Sequence, residues 1–309
     1  MSEPERRAIE PFVDDPPLVS VVTVCLNAAA YLEQTIQSVL AQDYPRIEYI
    51  VKDGGSTDGT LEILRQYEHR LRWISEPDRG TADAINRAFE LSRGEIFAFL
   101  NADDVYLPGA ISAAVDHFRE NPESAVVYGD ASWIDEAGDP VAPYPVRGFD
   151  AARLAYECFI CQPASFLRRE AFRNVGGLDP ELDVTFDYEL WMRLSRTYEM
   201  CHFSRRLAYS RMHPGSKTLG QRSRVFRQTF EILRRHYGYV PFDWIYGALC
   251  YRADRRDQFF EPLEPSILRY LESLPAGLSV NRKRMGRYLA EWFSIMSWGG
   301  LRRRIRSHF

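Results

Sequence analysis

Cysteine is scarce in this chain, five residues in 309, and the number is odd. A disulfide framework is therefore excluded. The single CxxC, Cys158-Phe159-Ile160-Cys161, has no second pair to close a zinc site with Cys201 and His202, so the cysteines read as buried thiols of a cytosolic protein. No apolar run approaches the length of a bilayer span, and Met1 to Arg7 lacks the apolar segment of a secretory signal. Internal repeats and low-complexity tracts are also missing. No GxGxxG follows the first apolar run, which removes the dinucleotide-binding dehydrogenases.

What is present is ordinary in amount and uneven in place. Hydrophobic residues at 45% and charged residues at 27% match a soluble globular protein with a sizeable core. The length allows one large α/β domain with an appendage, or two domains. Net charge is −4, yet residues 1–203 hold 18 basic and 35 acidic side chains, while residues 204–309 hold 21 and 8. The carboxyl-terminal part is thus strongly cationic and suited to an anionic surface or partner.

Residues 1–17, with Pro4, Pro11, Pro16 and Pro17, read as a flexible arm. Apolar runs at Leu18–Cys25, Ile47–Val51, Arg72–Ser75, Ile96–Leu100 and Ala125–Gly129 predict strands. Between them, helical spacing covers Tyr31–Ala41, Thr60–Tyr67, Thr81–Ser92 and Pro108–Arg119. That alternation predicts an α/β fold with a Rossmann-like, mostly parallel sheet flanked by helices. Residues 131–185 suggest longer loops with short strands, Phe186–Leu194 a helix, and the chain beyond Arg222 a basic helical extension. The expected divisions are 1–17, 18–221 and 222–309.

Three strand ends carry polar or acidic clusters: Asn27; Asp53 with Gly55 and Ser56; Asp103 with Asp104. In a parallel sheet they share the carboxyl edge, where open α/β sheets bind ligands. Adjacent carboxylates repel a phosphate unless a divalent cation lies between them, so Asp103 and Asp104 point to Mg²⁺ or Mn²⁺ carrying a diphosphate. Plainer readings stand beside these. Asp is common in turns and caps, and Gly54 and Gly55 serve tight turns with or without a ligand.

Taken in order, Val19-Ser20-Val21-Val22-Thr23-Val24-Cys25-Leu26-Asn27, Asp53-Gly54-Gly55-Ser56-Thr57-Asp58-Gly59-Thr60, Ser75-Glu76-Pro77-Asp78-Arg79-Gly80 with Asp83-Ala84-Ile85-Asn86, Leu100-Asn101-Ala102-Asp103-Asp104, Gly176-Gly177-Leu178-Asp179 and Phe186-Asp187-Tyr188-Glu189-Leu190-Trp191 resemble the family 2 glycosyltransferases. The match runs from about Leu18 to Thr218. The resemblance implies a GT-A fold and inverting transfer of a sugar from a nucleotide-diphosphate donor, a UDP-sugar first, to a hydroxyl acceptor on a glycan or lipid-linked glycan. It implies that Asp103 and Asp104 hold the cation and donor diphosphate, with His213 as a further metal ligand. Asn27, Asp53, Gly55, Ser56 and Asp83 would face the donor. Asp187 would be the catalytic base. The chain departs from the family's commonest form at Gly54, where many members carry a second acid, and at Phe186, which also replaces an acid.

The chemistry fits those residues. A cation stabilises the departing diphosphate, a carboxylate takes the acceptor proton, and both reactants must be held in line. Asp187 also suits a helix cap; Glu189, two residues along, points away from it. Asp83 suits a first-turn acid and His213 a surface or core histidine. Rival functions are transfer to a polyprenyl phosphate, which needs no base, and a non-catalytic sugar-nucleotide or glycan-binding subunit.

Along Asn281–Trp298, Met285, Tyr288, Leu289, Trp292, Ile295 and Met296 share one helical face. Arg282, Lys283, Arg284 and Arg287 precede it, and Arg302, Arg303, Arg304 and Arg306 follow. This predicts a helix lying on an anionic membrane, peripheral on the inner face of the plasma membrane; a packed terminal helix is the alternative. No nucleic-acid-reading motif accompanies the basic stretch.

Overall fold

Val19, Val21, Val22 and Cys25 are buried, and the two hydroxyls among them find partners: Ser20 on Glu48 at 2.6 Å and Thr23 on Tyr49 at 3.0 Å. This segment is β1 (Val19–Cys25) in the computed structural model, which describes residues 7–13, 15–255 and 266–296. It pairs in parallel with β2 (Ile47–Asp53) on one side and β4 (Ile96–Asn101) on the other; β3 (Arg72–Ser75) adds in parallel outside β2. The crossovers are α1 (Leu32–Leu40), α2 (Thr60–Gln66) and α3 (Thr81–Glu90). Leu32, Ile36 and Val39 of α1, and Ala84, Ile85, Ala88 and Phe89 of α3, are buried at the expected helical spacing. Phe89 stacks on Phe97 of β4 at 4.2 Å, so the most apolar strand is covered from one face by its own preceding helix. Burying each such ring stabilises the fold by roughly 1.5–3 kcal/mol.

Beyond β4 the sheet becomes mixed. The chain continues through β5 (Val105–Tyr106) and α4 (Ala110–Glu120) to β6 (Ser124–Ile134). Although β6 was expected as the next parallel strand, β8 (Ser165–Arg168) lies between it and β4, antiparallel to both. β6 pairs in parallel with β9 (Glu199–Arg211), which carries β5 antiparallel at the end of the sheet; β7 (Pro140–Pro143) pairs with β6. The order is β3-β2-β1-β4-β8-β6-β9-β5. Local spacing carries no signal for which later segment fills the place beside β4. Two further helices are α5 (Arg169–Asn174) and α6 (Phe186–Leu194).

Residues 7–17, expected as a loose arm, are held down where they are described. Phe12 sits between the Phe118 ring, 6.0 Å away edge to face, and the Arg168 guanidinium, 3.4 Å above its centroid. Tyr44 donates to the Pro17 carbonyl at 2.6 Å. An apolar and cationic sandwich outweighs the looseness that four prolines suggest.

The described residues fall into two compact units, one drawn from 1–149 and 158–212, the other from 150–157 and 213–309. The second is helical: α7 (Lys217–Gly220), α8 (Arg222–Tyr237), α9 (Phe242–Asp254), α10 (Ile267–Val280) and α11 (Met285–Met296). The face of α11 expected to meet lipid is inside this unit. Tyr288 and Trp292 are buried with Ile295; Trp292 stacks on Tyr270 at 4.3 Å, and Tyr288 donates to the Ser273 carbonyl at 2.9 Å. Met285, at the start of the same stripe, stays 48% exposed. Trp298, Arg302, Arg303, Arg304 and Arg306 lie outside the described residues. Among the described residues no helix is long and apolar enough to cross a membrane.

Candidate active site

The loops after β1 and β2 are tied together by the side chains named from the sequence. Asn27, with φ of 52°, donates its backbone N–H to Ser56 Oγ at 2.7 Å and accepts from Thr57 N at 2.9 Å. Asp53 is wholly buried. Its Oδ2 accepts from Gly55 N, Ser56 N and Ser75 Oγ at 2.9, 3.0 and 2.6 Å, and its Oδ1 takes the Ser56 hydroxyl. Burial alone would raise this carboxyl, but the hydroxyls of Ser56 and Ser75 and the two N–H groups hold it below the usual range. Gly55 needs its glycine for a φ of 94°, which lets consecutive N–H groups close on one carboxylate. Asp53 therefore shapes this loop from beneath.

Asp83 is likewise spent within the protein. Arg79 at 2.9 Å and Arg87 at 3.1 Å share its carboxylate, and the Arg79 hydrogen bond leads in holding it below the usual range. Asp78 is the acid that sequence reasoning passed over. A Cβ on Gly54 would lie 2.9 Å from Asp78 Oδ2, so the Asp78 carboxylate occupies the space that a side chain at position 54 would enter.

The acidic turn after β4 divides its labour. Asp104 is buried: its Oδ1 accepts from Arg211 N at 2.9 Å and its Oδ2 from Asn101 Nδ2 at 3.2 Å. Burial, then the neighbouring Asp103, pushes its carboxyl well above the usual range. Asp103 is half-buried, and its carbonyl accepts from Arg211 Nε at 3.0 Å. Gln162 ties Asn101 to the strand, accepting from Asn101 at 3.1 Å and donating to the Phe99 carbonyl. Two adjacent carboxylates, one destabilised as an anion by burial and by the other, form a donor set that a hard divalent cation would neutralise. That is the chemical test for a metal here, and the pair passes it. His213 begins the second unit, and among the described residues no group of three or more His, Cys, Asp or Glu side chains is gathered to hold a metal.

Asp187 lies in the first turn of α6 without capping it; the cap position is Thr185, with no side-chain hydrogen bond. Its Oδ1 accepts the adjacent Tyr188 N–H at 2.8 Å, and burial pushes this half-buried carboxyl up to about 6. Glu189 is engaged by Arg193 at 2.7–2.9 Å and is buried, which gives it a structural role.

These pieces share one edge. Cys25 is in register with Asp53 and Val24 with Asn101, so β2 and β4 end two strand spacings apart, about 10 Å. The Phe186 ring lies 6.4 Å from Phe99, bringing the start of α6 to the carboxyl end of β4. The buried Cys161 thiol is pushed up by its burial and, less, by the charges of Asp104 and Asp187. None of the five cysteines is in a disulfide, and His202 pairs with Asp130 at 2.8 Å.

A mixed α/β sheet with flanking helices and an acidic turn at the end of its fourth strand is a GT-A type of fold. The chain belongs to glycosyl transferase family 2, whose family model matches residues 20–176. It is 28% identical over 208 residues to chondroitin synthase of Escherichia coli, covering 65% of this chain and 30% of that one. Among solved structures it is similar to S. aureus TarS 1-349 in complex with UDP, with a TM-score of 0.61, 17% identity and coverage of 94% and 87%. It is also similar to the mannosyltransferase PcManGT from Pyrobaculum calidifontis in complex with GDP-Man and Mn²⁺, with a TM-score of 0.54, 17% identity and coverage of 98% and 83%. The chain spans about a third of the length of the first curated relatives it matches.

Proposed function

We propose that this chain transfers a sugar, with inversion, from a nucleotide-diphosphate donor to a hydroxyl of a growing polysaccharide or lipid-linked glycan, using a divalent cation. The observation that carries this reading is the acidic Asp103–Asp104 turn at the end of β4, the strand against which Phe186 packs the start of α6, next to Asp187. Asp103, half-buried beside its anchored neighbour Asp104, would hold Mn²⁺ or Mg²⁺. The cation, when bound, stabilises charge on the departing diphosphate. Asn27, Gly55 and Ser56 would meet the nucleotide, with Asp53 and Asp83 fixing the loop and α3 from behind. Asp187 accepts the acceptor's proton, for which a carboxyl near 6 is well matched to neutral pH. The neighbours solved with UDP and with GDP-Man support a nucleotide-sugar donor, and the chondroitin synthase relative supports polysaccharide synthesis. The inner face of the plasma membrane and the 18–221 limits of the transferase domain are part of this proposal.

The test is release of nucleoside diphosphate from UDP- and GDP-sugars with Mn²⁺, with Mg²⁺ and with chelator. Turnover of one donor, lost on chelation, is the expected result. If no donor turns over even with membrane extract as acceptor, the chain is a binding subunit. Asp187→Asn separates the acceptors: activity lost on a hydroxyl acceptor supports the proposal, and activity kept on a polyprenyl phosphate supports the rival.

A further inference from the structure

Helix α10 is built inside out. At 100° per residue, Ile267, Leu268, Leu271, Leu274, Pro275 and Leu278 fall on one stripe. Ile267 is 80% exposed, Leu268 58% and Leu271 55%. The opposite face is small and polar. Ser273 and Gly277 are buried, Ser273 Oγ accepts from Trp292 Nε1 at 3.1 Å, and a Cβ on Gly277 would lie 1.9 Å from the Tyr288 ring. Rolling the helix to hide its leucines would expel Tyr288 and Trp292 from their hydrogen bonds. The outward apolar face is therefore locked in place by the inward one.

Charge selects the occupant. The only acid on α10, Glu272, is paired with Arg269. The helix runs directly into Arg282, Lys283 and Arg284, followed by Arg287, all exposed. Residues 204–309 carry 21 basic against 8 acidic side chains. An uncharged aliphatic stripe ending in clustered cations matches the boundary of an anionic bilayer, with leucines below the headgroups and arginines on phosphates. We propose that α10 lies in the plane of an anionic lipid bilayer, with Ile267, Leu268 and Leu271 inserted and Arg282, Lys283 and Arg284 on the headgroups. The bilayer contact moves from α11, whose Tyr288, Trp292 and Ile295 are buried, to its neighbour in the chain.

The experiment is co-sedimentation of the full chain with vesicles of phosphatidylcholine, alone or with phosphatidylglycerol, without nucleotide or cation, so its outcome is independent of the transfer reaction. Binding to the anionic vesicles only is expected. The Leu268→Gln/Leu271→Gln double variant should bind at least tenfold more weakly, as should Arg282→Gln/Lys283→Gln/Arg284→Gln. Each variant should keep the parent melting temperature, because the altered side chains are already exposed. Absence of binding to anionic vesicles overturns the proposal, as does binding that the leucine changes leave intact. So does a concentration-dependent dimer dissolved by the leucine changes, since the face would then belong to a second copy.

Discussion

Asp187 meets two opposed demands. A base must be ionised to accept a proton, yet burial resists the charge and lifts this carboxyl to about 6. Transfer should therefore rise with pH through a midpoint near 6 and level off above it, measured as kcat/KM against pH. A carboxyl held above its unfolded value stabilises the fold while protonated; that contribution is complete below about pH 4 and is lost as pH rises through about 6. Asp187→Asn should then slow transfer by roughly 10²–10⁴-fold while raising stability at pH 7 by on the order of 2–3 kcal/mol. Thermal melts at pH 7 and pH 4 check this, since variant and parent should converge in acid. Asp53 behaves oppositely: its lowered carboxyl adds stability at neutral pH that is lost as pH falls through its folded value. Asp53→Ala leaves the buried Ser56 N–H and hydroxyl without their acceptor and should cost about 3 kcal/mol, read by urea denaturation. Sequence reasoning found both aspartates because strand ends and helix starts are locally visible. It gave Asp53 to the ligand, and the cage of Ser56 and Ser75 became visible only when β2 and β3 were paired.

At the scale of elements, the acidic turn depends on β9. Arg211, at the end of that strand, donates to the carbonyls of Asp103, Asp135 and Glu136 and to Gln34 Oε1 at 2.5–3.0 Å, with its guanidinium 4.8 Å from the Tyr31 ring centroid. One side chain thus braces the turn after β4, the loop after β6 and α1. Arg211→Met would strand several acceptors in a buried site and should cost about 3–5 kcal/mol in urea denaturation. It should also weaken Mn²⁺ binding measured by calorimetry, since Asp103 and Asp104 lose their support. The parallel half of the sheet was legible because each strand and its crossover helix alternate within about thirty residues. Arg211 and Gln162 were not, because their partners lie far away in the chain and a hydrogen bond across such a distance leaves no periodic trace.

The whole molecule is charged unevenly, with the acidic excess in residues 1–203 and the basic excess in 204–309. With a net charge of only −4 and a pI near 5.9, opposite regions of different copies attract one another at low ionic strength. Self-association in sedimentation should accordingly be greater at 20 mM than at 300 mM salt, where the screening length falls to several ångströms. By itself the sequence determined the α/β class, the acid-tipped strands and the cationic helical end. Those follow from short-range periodicity and composition. Only the tertiary structure decided that β8 enters between β4 and β6, that Asp53 and Asp83 face inward, and that α11 buries Tyr288, Trp292 and Ile295 while α10 exposes Ile267, Leu268 and Leu271. Those outcomes depend on which distant side chains become neighbours, and a choice between two apolar faces is made by the partners each one finds.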